Sequence, residues 1–265
     1  MMRALNTAAS GMAAQQTNVD VIANNLANVN TTGFRRSRAE FEDLIYQTYR
    51  SPGGSVGDAW VGDNQRLPTG IQIGEGVRTV STTHLHMQGS MLQTGNSLDV
   101  AIEGDGFFQV VRPGGQLAYT RSGDFKVDAE GRLVTVDGYQ VEPALNLPTN
   151  STSITISATG MLSVTTADQT TTQEVGQLTL AHFVNPSGLA HIGRTMFVPT
   201  DASGMPIVAQ PGQEGLGTVQ QGFLEASNVE VVNEMIDLIA SQRAYEVNQR
   251  VITTADEMLR RVTER

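Results

Sequence analysis

The sequence contains no cysteine, so it forms no disulfide, offers no thiolate ligand to a metal and has no cysteine nucleophile. Basic residues are also scarce, since 17 lysines and arginines face 27 aspartates and glutamates and the formal net charge is −10. This balance argues against a general nucleic-acid-binding protein, which needs a basic face. No apolar run reaches the length of a membrane span, and the N-terminal segment lacks the apolar centre of a cleaved signal peptide.

Helical periodicity is confined to the two ends of the chain. Heptad spacing of apolar residues predicts one helix over residues 1–33, ending at Gly33, and a second over residues 227–265. The residues predicted to pack in the first seam are Leu5, Met12, Val19, Ile22, Leu26 and Val29. Those predicted for the second seam are Val231, Met235, Leu238, Tyr245, Ile252 and Leu259. We expect the two helices to pair as a coiled coil.

The middle of the chain has a different pattern. Residues 76–226 contain alternating, β-branched segments separated by turn signals such as Asp137-Gly138, and they predict a mainly-β domain. Residues 34–75 are rich in glycine and contain Pro52 and Pro68, so they predict an extended connector. The predicted fold class is therefore α+β, with long terminal helices, an inserted mainly-β domain and a connector.

The N-terminal helix has little charge and many amides. Asp20 is its one charged residue between Ala4 and Phe34, and four asparagines lie in residues 23–33: Asn24, Asn25, Asn28 and Asn30. Asparagine is a weak helix former, so packing must compensate. Burial inside a monomer and burial among copies of the same chain are both open. We favour the second, because neutral amides cross such contacts without the desolvation cost of charges and the β block is too small to envelop both helices.

Catalytic and metal-binding patterns are weak. His84 and His86 share one face of a predicted strand, a spacing that suits a metal, but no carboxylate motif accompanies them and we expect structural histidines. No phosphate-binding loop and no nucleophile elbow occurs. We therefore predict no enzyme activity, no catalytic residue, no metal site and no cofactor.

Three stretches carry a resemblance to a known family. They read "ANNLANVNTTGFRRSRAEFEDLIYQTY", "LPTGIQIGEGVRTVSTTHLHMQGSMLQTGNSLDVAIEGDGFFQV" and "QGFLEASNVEVVNEMIDLIASQRAYEVNQRVITTADEML". Together they resemble the bacterial flagellar rod and hook axial proteins, and only the middle of the β block is undistinguished. The residues that match the family motif near the N-terminus are Asn24, Asn25, Leu26, Ala27, Asn28, Thr31, Thr32, Gly33 and Phe34.

The resemblance implies a structural role. Subunits of this family form a hollow helical shaft that carries torque from motor to hook, and they leave the cytoplasm through the flagellar type III export apparatus without a cleaved signal. It implies a periplasm-spanning location in the basal body and contacts with further copies of the chain, with proximal rod, hook and ring proteins and with the export apparatus. It implies neither membrane insertion nor nucleic-acid binding.

The connector is most similar to that of distal-rod members of the family. Its candidate contact residues are Tyr46, Tyr49, Pro52, Trp60, Leu67 and Pro68. We expect them to join axial neighbours and so make the shaft rigid; a disordered spacer is the alternative. A proximal rod or hook subunit of the same family remains a second interpretation. A ligand-binding or enzymatic β domain on a helical oligomerisation stalk is a remote third.

Overall fold

The chain is α+β, with one helix near each end and a β-rich middle. The computed structural model describes residues 2–52, 69–148, 150–166 and 169–263. Its residues group into two compact units, of which the first is drawn from Met1–Asn24, Ser37–Thr83 and Val232–Arg265. The second unit is drawn from Asn25–Arg36 and His84–Val231. Residues 76–226, for which a mainly-β domain was predicted, contain strands and no α-helix among the residues that the structure describes.

The N-terminal helix α1 spans Met2–Ala27 and so ends before Gly33, where the heptad pattern placed its end. Beyond Ala27 the backbone follows turns, because the Asn28 N–H bonds to the Asn25 carbonyl at 3.1 Å and the Thr31 N–H to that of Asn28 at 3.1 Å. The Asn28 side chain also accepts a hydrogen bond from the Thr31 hydroxyl at 3.2 Å. Asparagine commonly makes such local bonds in turns. Two of the four asparagines, Asn28 and Asn30, therefore lie outside the helix, as does Val29.

The C-terminal helix α2 spans Val231–Thr263 and lies antiparallel to α1 in the first unit. The Asn18 amide donates to the Ser241 hydroxyl at 2.7 Å. A Cβ added to Gly11 would lie 2.9 Å from the amide nitrogen of Asn248. Asn18 follows Gly11 by seven residues on α1, whereas Ser241 precedes Asn248 by seven residues on α2, so the two helices run in opposite directions. Small and polar residues therefore form the contact, and continuous coiled-coil packing stays a prediction.

Two ribbons of strands complete the first unit. Strand β1 (Ser37–Asp43) pairs with β4 (Val77–His84). Strand β2 (Tyr46–Arg50) pairs antiparallel with β3 (Ile71–Gly74). Strands β1, β2 and β3 thus lie within the segment for which only an extended connector was predicted, because strand pairing depends on distant partners that local composition does not reveal.

Nine strands of the second unit form one large sheet. The strands of this unit are short. In chain order they are β5 (Met91–Gln93), β6 (Val100–Glu103), β7 (Phe107–Val111), β8 (Leu117–Thr120), β9 (Lys126–Val127), β10 (Leu133–Val134), β11 (Gln140–Glu142), β12 (Ser151–Ile156), β13 (Met161–Thr166), β14 (Gln169–Gln177), β15 (Leu180–His182), β16 (Ala190–His191), β17 (Met196–Val198), β18 (Ile207–Ala209), β19 (Thr218–Gln221) and β20 (Phe223–Glu225). The large sheet has the order β16-β17-β8-β7-β11-β10-β9, with β15 joining β7 to β18. Strands β12-β13-β14 form a separate sheet, and β6–β19 and β5–β20 form antiparallel pairs.

Strand β7 separates two apolar clusters. Successive side chains of a strand point to opposite faces, so the neighbours Phe107 and Phe108 enter different clusters. Phe108 is fully buried in the main core, where its ring meets that of Phe125 at a centroid distance of 5.0 Å. Phe107 belongs to a smaller aromatic cluster with Tyr119, Phe183 and Phe197. The candidate site borders this second cluster.

Candidate functional site

Three segments that are distant in sequence meet in the second unit: residues 33–36 after α1, residues 85–90 and residues 225–228 before α2. The Gly33 N–H donates to the Glu225 carbonyl at 2.8 Å, and the Leu85 N–H donates to the Arg36 carbonyl at 2.8 Å. Asn228 bonds to the other two segments, because it accepts from the Arg36 N–H at 2.6 Å and donates to the Leu85 carbonyl at 2.8 Å. The chain entering α2 is thus bonded directly to the chain leaving α1.

The junction of these segments encloses a buried carboxylate between two guanidinium groups. Glu225 is 1% exposed, Arg35 2% and Arg121 3%. One carboxylate oxygen, Oε1 of Glu225, lies 2.8 Å from Arg35 Nη2 and accepts the Gly89 N–H at 2.8 Å. The other oxygen, Oε2, lies 3.0 Å from Arg121 Nε. Charges this deeply buried persist only when they are paired.

Backbone carbonyls hold both arginines in place. Arg35 Nη1 donates to the Met87 carbonyl at 2.8 Å. Arg121 donates from Nη1 to the Gly106 carbonyl at 2.7 Å and from Nη2 to the Gly104 carbonyl at 2.8 Å. Burial lowers the pKa of Arg121, and the neighbouring Glu225 carboxylate opposes this effect. The group we call the charge triad (Arg35, Arg121 and Glu225) therefore joins β8, the segment after α1 and β20.

Gly33 is required at this junction for two reasons. Its φ is +67°, in the left-handed region that favours glycine. A Cβ at this position would also lie 2.6 Å from the backbone nitrogen of Ser122. Gly33 therefore ends a turn and closes the junction, and it does not end the helix as the heptad pattern predicted.

The aromatic cluster beside the triad contains histidines. The His84 ring stacks on His191 with a centroid distance of 5.2 Å. The His86 ring lies 5.8 Å from Phe107 and 5.5 Å from Phe197. Within the described residues no group of three or more histidines and carboxylates is placed to hold a metal ion. His84 and His86, whose spacing suits a metal, instead pack against other aromatic rings.

Desolvation and nearby charges lower the pKa of these histidines. Burial lowers the pKa of His84, and partial desolvation of the exposed His191 side chain, followed by the nearby His84, lowers that of His191. His191 Nδ1 also accepts the Gly193 N–H at 3.2 Å, a bond that a protonated nitrogen cannot accept. Burial, followed by the positive charge of Arg35, lowers the pKa of His86 to about 4.

The predicted packing residues have varied environments. Ile22 is buried, whereas Leu5, Met12, Val19, Leu26 and Val29 are half-buried. On α2, Leu238, Ile252 and Leu259 are half-buried, but Val231, Met235 and Tyr245 are exposed. The most buried side chains of α2 are instead Glu234, Ser241 and Ala255. The buried face of α2 is therefore rotated about the helix axis relative to the predicted seam. The role of the seam in packing between subunits stays a prediction.

The family-motif residues cluster at the junction. Asn25, Gly33 and Phe34 are buried, Leu26 and Asn28 are half-buried, and Asn24 and Ala27 are exposed. Thr31 and Thr32 line a hydroxyl-rich pocket of about 230 Å³ that also includes Thr195. Among the connector residues Tyr46, Tyr49 and Pro52 are exposed, and Trp60, Leu67 and Pro68 lie outside the described residues.

Sequence reasoning missed the charge triad. One of its members was visible as a charge in uncharged surroundings, because Glu225 stands alone in "QQGFLEASN", whereas Arg35 is followed by Arg36 and Arg38. An isolated charge in such a stretch is a signal of a buried ion pair. Nothing local, however, indicates which partner it takes.

Comparison with known families places each member of the triad in a different matched segment. A model described as "Flagella basal body rod protein" matches residues 5–35, which include Arg35. A model described as "Flagellar hook protein FlgE/F/G D1 domain" matches residues 101–164, which include Arg121. A model described as "Flagellar basal body rod FlgEFG protein C-terminal" matches residues 220–265, which include Glu225. These matches define the class of flagellar rod and hook proteins.

Full-length relatives identify the member of this class. The chain is 50% identical over 258 residues to the flagellar basal-body rod protein FlgG of Agrobacterium fabrum, with 97% of each chain covered. It is 49% identical over 261 residues to FlgG of Borreliella burgdorferi, covering 98% of this chain and 97% of that one. It is 46% identical over 263 residues to FlgG of Buchnera aphidicola from Baizongia pistaciae, with 99% of each covered. The chain belongs to the FlgG family of flagellar basal-body rod proteins.

A substitution of Glu225 tests the charge triad. Glu225→Gln leaves two buried guanidinium groups without their counter-charge, and we expect the free energy of unfolding to fall by about 3–5 kcal/mol. Chemical denaturation of the purified chain measures the change. The matched control is Glu130→Gln, which removes an exposed partner of Arg132 and leaves the stability almost unchanged. Equal effects of the two substitutions would contradict the role given to the triad.

The histidine pair predicts a dependence of stability on pH. Because the pKa of His191 is lowered in the folded chain, its stabilising effect is complete above the unfolded-state pKa of about 6.5 and is lost as the pH falls towards the folded pKa. We expect His191→Asn, which keeps an acceptor but does not titrate, to lose less stability on acidification. Denaturation midpoints at several pH values measure this. Parallel pH profiles for variant and wild type would refute the assignment.

Proposed function

We propose that the chain is a structural subunit of the flagellar distal rod, which self-assembles into a rigid hollow helical shaft and transmits torque to the hook. The names of the relatives support the rod, and the distal position follows the similarity of the connector. Partners are further copies of the chain, the proximal rod, hook and ring proteins and the export apparatus. The role involves no catalysis and no cofactor.

The proposed location is the basal body where it spans the periplasm, reached by export without a cleaved signal peptide. Among the described helices none is both long and apolar enough to cross a membrane. The proposed organisation has an assembly helix over residues 1–33, a connector over 34–75, a β domain over 76–226 and a second assembly helix over 227–265. In the shaft we expect the terminal helices to pack as coiled coils.

The observation that carries the proposal is an exposed apolar face on α2. Val232 is 63% exposed, Ile236 58% and Ile239 47%. At about 100° per residue these side chains share one stripe, which Val247, Val251 and Met258 extend and which Arg243 and Arg250 interrupt. The inward face, with Glu234, Ser241 and Ala255, lies on roughly the opposite side of the helix. An apolar stripe of this length on a solvent-facing helix is typical of an interaction surface.

A second copy of the chain is the occupant that fits this surface. A groove of about 420 Å³ runs beside the stripe between α1 and α2 and is lined by Val19 and Tyr245, both predicted packing residues, with Gln16, Gln242 and Glu246. An apolar stripe and an open groove on one helix pair allow a heterologous contact, in which the stripe of one copy enters the groove of the next. Contacts of this kind generate helical filaments when the rotation does not close.

The substitution Ile236→Asp tests the stripe. A carboxylate buried at every equivalent subunit contact costs several kcal/mol per contact, so we expect rods to be absent while the monomer keeps its circular dichroism and its denaturation midpoint. Electron microscopy of basal bodies and a motility assay measure the outcome. The matched control is Arg260→Gln on the same helix, whose guanidinium lies 3.0 Å from Asp256 on an exposed face outside the stripe. Normal rods with Ile236→Asp would exclude this stripe as a subunit interface.

The β2–β3 ribbon supports the proposed axial contacts. Tyr46 is 51% exposed, Tyr49 55%, Ile71 54% and Ile73 48%. A two-stranded ribbon with apolar side chains exposed is marginal alone and gains stability from a partner. The Arg3 guanidinium lies 5.0 Å from the centre of the Tyr49 ring, so the ribbon also contacts α1 within the first unit. We assign the exposed ribbon side chains to contacts between axial neighbours.

The double variant Tyr46→Ser/Ile73→Ser tests this assignment. It removes apolar contact area from the ribbon without changing the helices, so we expect rods that form but bend. Electron micrographs of isolated basal bodies measure the curvature, with Thr48→Ser on the same strand as the control. Straight rods in the double variant would show that the ribbon does not set rigidity.

A further inference from the structure

A small pocket lies against the charge triad on the side of the aromatic cluster. It has a volume of about 70 Å³, and Arg35, His86, Phe107, Arg121 and His182 are among the residues that line it. Pockets for metabolites or sugars are several times larger, typically about 300–1,000 Å³. A volume near 70 Å³ exceeds what a single water molecule needs. Its occupant is therefore an ion or a few solvent molecules.

The buried charges around the pocket do not balance. Arg35 and Arg121 bring two buried positive charges, and Glu225 supplies one buried negative charge. Asp105 also borders the pocket and its charge acts on Arg121, but it is exposed, so solvent weakens this interaction. A buried excess of positive charge is costly when it is uncompensated. The local field therefore favours an anion and repels a metal cation.

Among the described residues, three buried polar atoms of pocket-lining side chains lack a hydrogen-bond partner: Arg35 Nε, His86 Nδ1 and Arg121 Nε. Arg121 Nε nevertheless lies 3.0 Å from Glu225 Oε2, which leaves Arg35 Nε and His86 Nδ1 without a close partner. The remaining guanidinium nitrogens of Arg35 are taken by Glu225 and by the Met87 carbonyl. Buried polar groups without a partner are rare, and those in a lined pocket indicate an unseen water or ion. Arg35 Nε–H is a donor and therefore needs an acceptor.

We propose that this pocket binds a small inorganic anion of halide size, held by Arg35 Nε–H and His86 Nδ1. A bound anion supplies the missing negative charge and accepts the unpaired Arg35 proton. It bonds to His86 when Nδ1 carries a proton, so anion binding and proton uptake at His86 favour each other. The site is separate from the exposed face of α2 and does not depend on the proposed function.

The groups around His86 determine whether the affinity for the anion rises or falls with pH. Without an anion, burial and the positive charges of Arg35, His84 and Arg121 lower the pKa of His86 to about 4. His182 borders the same pocket, and the carboxylates nearest to it are Asp105 and the paired Glu225. An anion offsets the repulsion from the two arginines and raises the pKa of His86. Affinity for the anion therefore rises as the pH falls.

The test is a comparison of sodium chloride with sodium gluconate at equal ionic strength, because gluconate is too large for the pocket. Using the full chain, we expect chloride to raise the His86 pKa, measured by NMR of the imidazole nitrogens, by about one unit or more, while the His191 pKa stays the same in the two salts. We also expect chloride to raise the denaturation midpoint more at pH of about 5.5 than at about 7.5.

His86→Gln keeps polar atoms in the pocket but does not titrate, so stabilisation by chloride should become independent of pH in this variant. Crystals grown with bromide should show anomalous scattering in the pocket. An equal His86 pKa in both salts overturns the proposal, as does water density without an anomalous peak. A bromide peak in crystals without any effect of chloride in solution identifies an adventitious ion only, and it overturns the proposal as well.

Discussion

The Glu225 carboxylate holds the second unit together at the point where both terminal helices leave it. Its two oxygens are engaged by Arg35 and by Arg121, and its own backbone carbonyl accepts the N–H of Gly33. Buried ion pairs contribute little net stability compared with an apolar substitute, but they tolerate few alternative arrangements. We interpret the triad as a device that fixes how the chain leaves α1 relative to how it enters α2. Under the proposed function, in which both helices contact neighbouring subunits, that geometry matters more than the added stability.

The contact between α1 and α2 likewise fixes geometry more than it adds stability. Within one chain, α1 and α2 meet through small and polar residues such as Gly11, Asn18 and Ser241, which bury little apolar area. Several larger apolar side chains of α2, among them Val232, Ile236 and Ile239, face away from this contact. The single chain therefore does not gain the free energy of burying them, about 25 cal/mol per Å² of apolar surface.

The sequence predicted the features that depend on local periodicity, namely the two terminal helices and the β-rich middle. It failed where distant residues decide the outcome. The end of α1 depends on side-chain bonds of Asn28, and strands β1 and β2 depend on partners in β4 and β3. The charge triad joins residues 35, 121 and 225, a combination that no local pattern encodes. The heptad count also did not distinguish the two faces of α2, because both carry residues that recur with helical spacing.

The antiparallel register of the helix pair has a consequence for the ends of the chain. Since Gly11 lies opposite Asn248 and Asn18 opposite Ser241, the start of α1 and the last turns of α2 lie at the same end of the helix pair. A tag or fluorescent protein fused to either terminus would therefore occupy the same region of the first unit. Labels near the start of α1 and near the end of α2 would lie close enough for efficient energy transfer within one molecule. This energy transfer would report whether the two helices are in contact.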